Sequence, residues 1–211
     1  MVGQINRGTT TGEFIFNLCL KSEVQTIVEI GTWNGLGSTK CVADALLQRF
    51  DESKMFSLEA NKKMYDLAKS HWDLTLLSYN SFMKEKINLL YGRIIEKEDL
   101  IPLEELRTYP SYIPDWENWY QQDIASIELS ENVLNTIPLS IDLLLLDGGE
   151  FSTLSEFNKL KDRANYILCD DTRTTKCTKI VEELKKNNKF EIIFDNQEDG
   201  RNGFTAFRRI K

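Results

Sequence analysis

Histidine is almost missing from this chain: His71 is the only one in 211 residues. That excludes centres built from several imidazoles. His71 itself lies between Ala68 and Trp72 on a helix-period pattern, which is a structural or rim position. The four cysteines, Cys19, Cys41, Cys169 and Cys177, show no C-x-x-C spacing, so a thiolate zinc site is excluded. Cys19, Cys41 and Cys169 sit in apolar patterns and read as small buried hydrophobes in a reducing, cytoplasmic chain. No apolar run reaches membrane-spanning length, and MVGQINRGTT lacks the apolar centre of a signal peptide. There is no concentrated basic stripe either. With a net charge of −7, nucleic acid is not the expected partner. Proline is confined to Pro102, Pro110, Pro114 and Pro138.

What is present is organised around Thr26 to Lys40. Thr26-Ile27-Val28-Glu29-Ile30 is an apolar, β-branched run of the kind buried in parallel sheets. Gly31, Gly35 and Gly37 follow, and then Val42, Ala45, Leu46 and Phe50 fall on one helical face. A strand turning through glycines into a helix lets a ligand approach bare backbone at the helix start. The order E-x-G-x-x-x-G-x-G is not the dinucleotide G-x-G-x-x-G, and no G-K-[ST] ends the turn. A nicotinamide cofactor and a phosphate loop are both set aside on that spacing. A second strand, Met55 to Glu59, ends in an acid that can accept both hydroxyls of a ribose.

Further strands are expected at Ile87–Tyr91, Ile141–Leu146, Tyr166–Cys169, Phe190–Phe194 and Phe204–Phe207, the last two as a hairpin around Glu198-Asp199-Gly200. Helices are expected from Thr11 or Gly12 through Glu13 to Lys21, from Asn61 as N-cap through Trp72, near Ser126–Ile137, and from Thr175 to Asn187. The face of the second carries Met64, Leu67, Ala68, His71 and Trp72. Residues 1–211 read as one α/β domain with a doubly wound, mostly parallel sheet. Residues 94–140 stand out as an insertion holding every proline and the aromatics Tyr109, Tyr112, Trp116, Trp119 and Tyr120. It is expected to be a lid or substrate wall, or else a packing patch or homodimer surface.

The glycine turn with Glu59 one strand later resembles motif I and the ribose acid of class I S-adenosylmethionine-dependent methyltransferases. The resemblance covers nearly the whole chain, the insertion excepted. It implies that S-adenosyl-L-methionine meets Glu29, Gly31, Thr32, Asn34, Gly35, Gly37 and Glu59, with the segment ahead of the first helix closing over it. Methyl transfer to a hydroxyl of a small molecule or carbohydrate is the implied activity. A non-catalytic cofactor-binding or scaffold protein on the same fold is the alternative.

At the carboxyl edge of the sheet, Asp147 and the pair Asp170-Asp171 end two strands expected to be neighbours. Three converging carboxylates repel one another unless a cation or protons neutralise them, and oxygen ligands suit Mg2+ or a similar divalent cation. The cluster is similar to the metal site of catechol-type O-methyltransferases. Glu150 stands where relatives carry a histidine or lysine, so Glu150 and Asp147 are the candidate catalytic residues, with Glu150 as base or extra ligand. The bland alternatives are that Asp171 or Thr172 caps the next helix and that Asp147 holds a turn or the cofactor amine.

Overall fold

The β-branched and leucine-rich runs become strands, and the stretches between them become the helices that cover the sheet. The structure, a computed structural model, describes residues 4–109, 112–198 and 202–210. In chain order the elements are α1 (Thr10–Cys19), β1 (Thr26–Ile30), α2 (Ser38–Leu46), β2 (Lys54–Glu59), α3 (Lys62–Thr75), α4 (Ser81–Lys84) and β3 (Ile87–Tyr91). They continue with α5 (Leu103–Leu106), α6 (Asp115–Leu129), β4 (Ile141–Leu146), α7 (Thr153–Leu160), β5 (Ala164–Asp170), α8 (Thr178–Lys186), β6 (Phe190–Asn196) and β7 (Phe204–Arg209).

The strands form one seven-stranded sheet in the order β3-β2-β1-β4-β5-β7-β6. β1 to β5 pair in parallel, and β7 runs antiparallel to both β5 and β6. Chain order reverses between β1 and β4, where Ile30 lies opposite Leu146. That is the switch point at which the following loops part and leave a crevice.

Alternation along the strands sends successive side chains to opposite layers. Val28, Ile30, Leu144, Leu146 and Ile167 pack with Trp116, Ile127, Phe157, Leu160 and Ile180 from α6, α7 and α8. Ile27, Leu143, Leu145 and Leu168 pack with Ile15, Leu18, Val42, Leu46 and Trp72 from α1, α2 and α3. The same alternation puts Glu29 on the α2 side, where a leucine would otherwise go. Asn61 caps α3 as expected, its side chain accepting from Met64 N at 3.2 Å.

Several boundaries differ from the sequence reading, each for a visible reason. The first helix begins at Thr10, because Thr9 Oγ1 accepts from Gly12 N at 3.0 Å. Phe50 does not join the face of α2 and is 88% exposed. Arg49 takes the inward position instead, donating to the carbonyls of Cys19 and Val24 at 2.6 and 2.7 Å and to Asp51. Leu67 likewise lies outside the buried face of α3. The helix expected near Ser126–Ile137 lies earlier, at Asp115–Leu129. Pro114 sets its start, with Asp115 and Glu117 in the first turn. The chain then leaves it to pair with Arg93, Val133 N donating to Arg93 O at 2.8 Å, and only a 3₁₀ turn at Leu134–Thr136 remains.

Residues 94–140 are the crossover from β3, at the sheet edge, to β4 beside β1. They contribute Ile94, Ile95, Leu100, Ile101, Leu106, Trp116, Ile127 and Ile137 to the core. Pro110 and the hairpin turn at Asp199-Gly200 lie outside the described residues. No helix among the described residues is long and apolar enough to cross a membrane.

Phe157 is fully buried on the inner face of α7. Phe157→Ala should lower the unfolding free energy by about 3–5 kcal/mol, through lost transfer energy plus the cavity left behind. Guanidinium denaturation measures this, and a loss well under 1 kcal/mol would contradict the packing of α7 on the sheet.

Candidate functional site

The crevice is made by three backbone positions with positive φ. Gly31 has φ 91°, Trp33 51° and Gly35 73°. A Cβ on Gly31 would lie 2.1 Å from the carbonyl oxygen of Asp147, so the loops after β1 and β4 touch there through bare backbone. Gly35 is pinned from below: Trp72 Nε1 donates to its carbonyl at 3.0 Å. Behind the turn, Glu29 is fully buried and accepts from Ser38 Oγ at 2.7 Å, Thr39 Oγ1 at 2.7 Å and Ser57 Oγ at 2.5 Å. Burial raises its pKa to about 7, and the three hydroxyls hold that rise back. Glu29 thus fastens the start of α2 and the middle of β2 to β1, and shapes the turn from behind.

Two cavities flank this turn. The first, about 250 Å³, runs between Leu58, Glu59 and Asn61 at the end of β2 and Gln122, Asp123, Ser126 and Ile127 of α6. Its floor is Gly31, Asp147, Gly148 and Gly149, with Glu156 at the back. The second, about 330 Å³, is walled by Thr32, Asn34, Gly37 and Ser38 and by Asp147, Asp170, Asp171 and Lys176. Gln4 and Ile5, from the segment before α1, also line it. Gly31, Trp33, Asp147 and Gly148 belong to both. Of the residues expected at a cofactor, Gly31, Thr32, Asn34, Gly37 and Glu59 line the cavities, whereas Glu29 and Gly35 act one layer behind.

Glu59 is held by two backbone donors, Trp33 N at 2.7 Å on one oxygen and Asn61 N at 2.8 Å on the other. Each carboxylate oxygen keeps a lone pair for the cavity. Burial lifts its pKa to about 7 against those two donors. Asp123 is raised to about 6 by burial and by repulsion from Glu150, and Glu156 to about 8 by burial, which Ser152 partly offsets. Asp123 and Glu156 escape a sequence reading. One sits in the crossover and the other mid-helix, and neither ends a strand.

The crossover aromatics Tyr109, Tyr112, Trp116, Trp119 and Tyr120 are not among the residues lining these two cavities. Trp116 and Tyr120 meet Phe151 edge-on, and Tyr112 meets Trp116. They face the core, and the next turns of α6 reach the cavity. Trp33, 56% exposed at the glycine turn, is the aromatic that lines both cavities.

The strand-end acids converge as expected. One oxygen from each of Asp147, Asp170 and Asp171 falls within 4.8 Å of the others. Among them stands a residue the sequence reading passed over. Lys176 Nζ lies 3.0 Å from Asp147, 2.9 Å from Asp171 and 3.7 Å from Asp170, with its side chain 5% exposed. Burial works against that charge, but the three carboxylates push the lysine pKa well above its ordinary value. Burial raises Asp170 to about 8, with Asp147 adding repulsion. The ammonium and the three carboxylates thus share one small space at the edge of the sheet.

Glu150 stands behind the cluster, where burial raises its pKa. It accepts from Thr174 Oγ1 at 3.2 Å and from the backbone N–H of Lys176 at 3.1 Å. The helix expected from Thr175 starts only at Thr178, its cap is Cys177, and neither Asp171 nor Thr172 caps it. The loop so released is what delivers Lys176. A cation a few residues beyond an acid pair was the available signal.

Glu29, Glu59, Asp123 and Glu156 all have folded pKa values above the ordinary carboxyl range. The folded state therefore binds more protons than the unfolded chain between about pH 4.5 and 8, and stability falls across that window as pH rises. Thermal unfolding should give a lower midpoint at pH 8 than at pH 5.5. Glu156→Gln, which keeps an acceptor for Ser152, should shrink that fall, by up to about 1.4 kcal/mol per pH unit where the group titrates. An unchanged slope would contradict the burial of Glu156 as an acid.

No protein-family model and no curated protein matches the sequence. Solved structures do match the fold. An O-methyltransferase from Bacillus cereus in complex with SAH is 17% identical with a TM-score of 0.59, over 95% of this chain and 81% of that one. A putative caffeoyl-CoA O-methyltransferase from Staphylococcus aureus is 15% identical with a TM-score of 0.62, over 99% and 86%. The O-methyltransferase TomG from Streptomyces achromogenes, in complex with SAM, is 13% identical with a TM-score of 0.57, over 95% and 79%. With its switch point, glycine turn and closing antiparallel hairpin, the chain has the class I methyltransferase fold.

Proposed function

We propose that this chain is an S-adenosylmethionine-dependent methyltransferase acting on a hydroxyl of a small molecule or sugar. The observation that carries the reading is the charge of the crevice. Its two cavities meet at a bare-backbone turn and are lined by Glu59, Asp123, Asp147, Glu156, Asp170 and Asp171, with Arg93 and Lys176 as the cationic lining residues. A pyrophosphate would be repelled there. A ligand carrying a neutral ribose, an ammonium and a sulfonium is complementary to it. The fold's likeness to O-methyltransferases supports the same choice.

When bound, this cofactor supplies an electrophilic methyl group on sulfur. Glu59 holds the ribose hydroxyls, and Asp123 and Glu156 offer acceptors along the rest of the first cavity. Gly31, Asn34 and Gly37 present backbone to the amino-acid end. The second cavity takes that amino-acid end and, next to it, the acceptor, by Gln4 and Ile5 and beside Trp33, whose exposed face can stack on a ring. Asp147 lines both cavities, which makes it the carboxylate best placed to receive the acceptor's proton. Glu150, with its oxygens on Thr174 and the Lys176 backbone, supports the loop from behind. Closing hydroxyl and methyl into one crevice is the larger contribution, since proximity is worth several kcal/mol before any proton moves.

Calorimetry with S-adenosylhomocysteine tests the binding half. Glu59→Ala should lose one or two charge-assisted hydrogen bonds of about 1.5–3 kcal/mol each, weakening affinity by roughly tenfold or more. NAD should show no heat. Equal affinity in wild type and variant would remove the ribose assignment. Turnover of the cofactor with any hydroxylated acceptor then separates an enzyme from a cofactor-binding scaffold on the same fold.

A further inference from the structure

The three carboxylates that end β4 and β5 hold an ammonium from their own chain. We infer that Lys176 is the resident cation of this site, standing where a divalent metal would stand, and that the site works without metal. The inference builds on the methyltransferase reading for its consequence, but its geometry and its test are independent of that reading.

Lys176 is held at both ends. Its backbone N–H donates to Glu150 Oε1 at 3.1 Å and to Thr174 Oγ1 at 3.3 Å. Thr178 Oγ1 donates to Thr172 O at 3.2 Å, closing the loop around it. Its ammonium reaches Asp147 and Asp171 within hydrogen-bonding distance. The other oxygens of those two acids also have close neighbours. Ser38 Oγ, whose proton points to Glu29, lies 3.2 Å from Asp147 Oδ2, and Asn202 Nδ2 donates to Asp171 Oδ1 at 2.8 Å. Asp171 itself sits at φ 54°, a left-handed conformation that turns it back over the cluster. A six-coordinate cation would have to share oxygens that already face the ammonium, and it would have to drive that buried ammonium out into solvent.

The arrangement also answers why so many acids are tolerated together. Removing the acids would leave a buried ammonium unpaired, and removing the lysine would leave the acids to repel one another with no cation between them. For the reaction, a single fixed ammonium differs from a metal in one respect that matters. It cannot chelate. An acceptor that presents two adjacent oxygens to a metal gains nothing here, whereas a single hydroxyl can meet the ammonium N–H that Asp147 and Asp171 leave over, since lysine has three donors and Lys176 lines the second cavity.

Mn2+ titration followed by electron paramagnetic resonance tests this on the full chain, with no cofactor or acceptor present. Wild type should leave the free-ion signal undiminished, and its unfolding temperature should be the same in Mg2+ and in EDTA. Lys176→Ala should take up one Mn2+ per chain about tenfold or more tighter than wild type, with a midpoint that rises on adding the metal. One Mn2+ per wild-type chain, lost in Asp170→Asn, would overturn the inference. So would a folded Lys176→Ala that ignores Mn2+. If the variant does not fold with or without metal, the wild-type titration alone decides. Failure here would leave cofactor binding by Glu59 standing, because that is read separately by calorimetry.

Discussion

Gly31 has no room for a side chain, because the carbonyl of Asp147 occupies the place where a Cβ would go, and most of the site follows from that contact. β1 and β4 are hydrogen-bonded up to Ile30 and Asp147, whose N–H still donates to Ile30 O at 2.9 Å. Beyond them the chains must separate at once, one toward α2 and the other toward α7. The separation leaves a space on either side of a backbone ridge. Glu29 and its three hydroxyl donors keep the ridge from relaxing, and Trp72 supports it at Gly35. A rigid strand edge therefore presents the functional backbone.

The second organising fact is electrostatic. A chain with net charge −7 gathers carboxylates in its crevice, where burial and mutual repulsion oppose them. Protons relieve part of that repulsion, since several of these groups titrate near neutrality. Lys176 relieves another part from within. A cationic ligand would relieve more, so binding and local stability are coupled in one direction. The acidity is thus a selection rule for the ligand as well as a cost to the fold.

Much of this was legible in the sequence, and the limits are physical. Strand runs such as Ile141–Leu146 are buried on both faces and announce themselves through composition alone. Gly31, Glu59, Asp147, Asp170 and Asp171 could be placed because strand ends in a doubly wound sheet point to one edge. Phe50 could not, because period alone does not reveal that Arg49 would turn inward to the carbonyls of Cys19 and Val24. The aromatics of the crossover left cleft wall and packing patch open for a related reason. A tryptophan at a helix position says that something is covered, not whether core or ligand covers it. Lys176, Asp123 and Glu156 depend on loop shape and helix rotation, which spacing does not encode.

A crystal structure of the protein grown with S-adenosylhomocysteine tests the central claim most directly. The account predicts one ligand astride the Gly31–Asp147 contact. Its ribose hydroxyls lie on the two oxygens of Glu59, its base lies toward Asp123, and its amino-acid end lies beside Asn34 and Gly37. A nucleoside bound away from Glu59, or both cavities empty at saturating ligand, would contradict it.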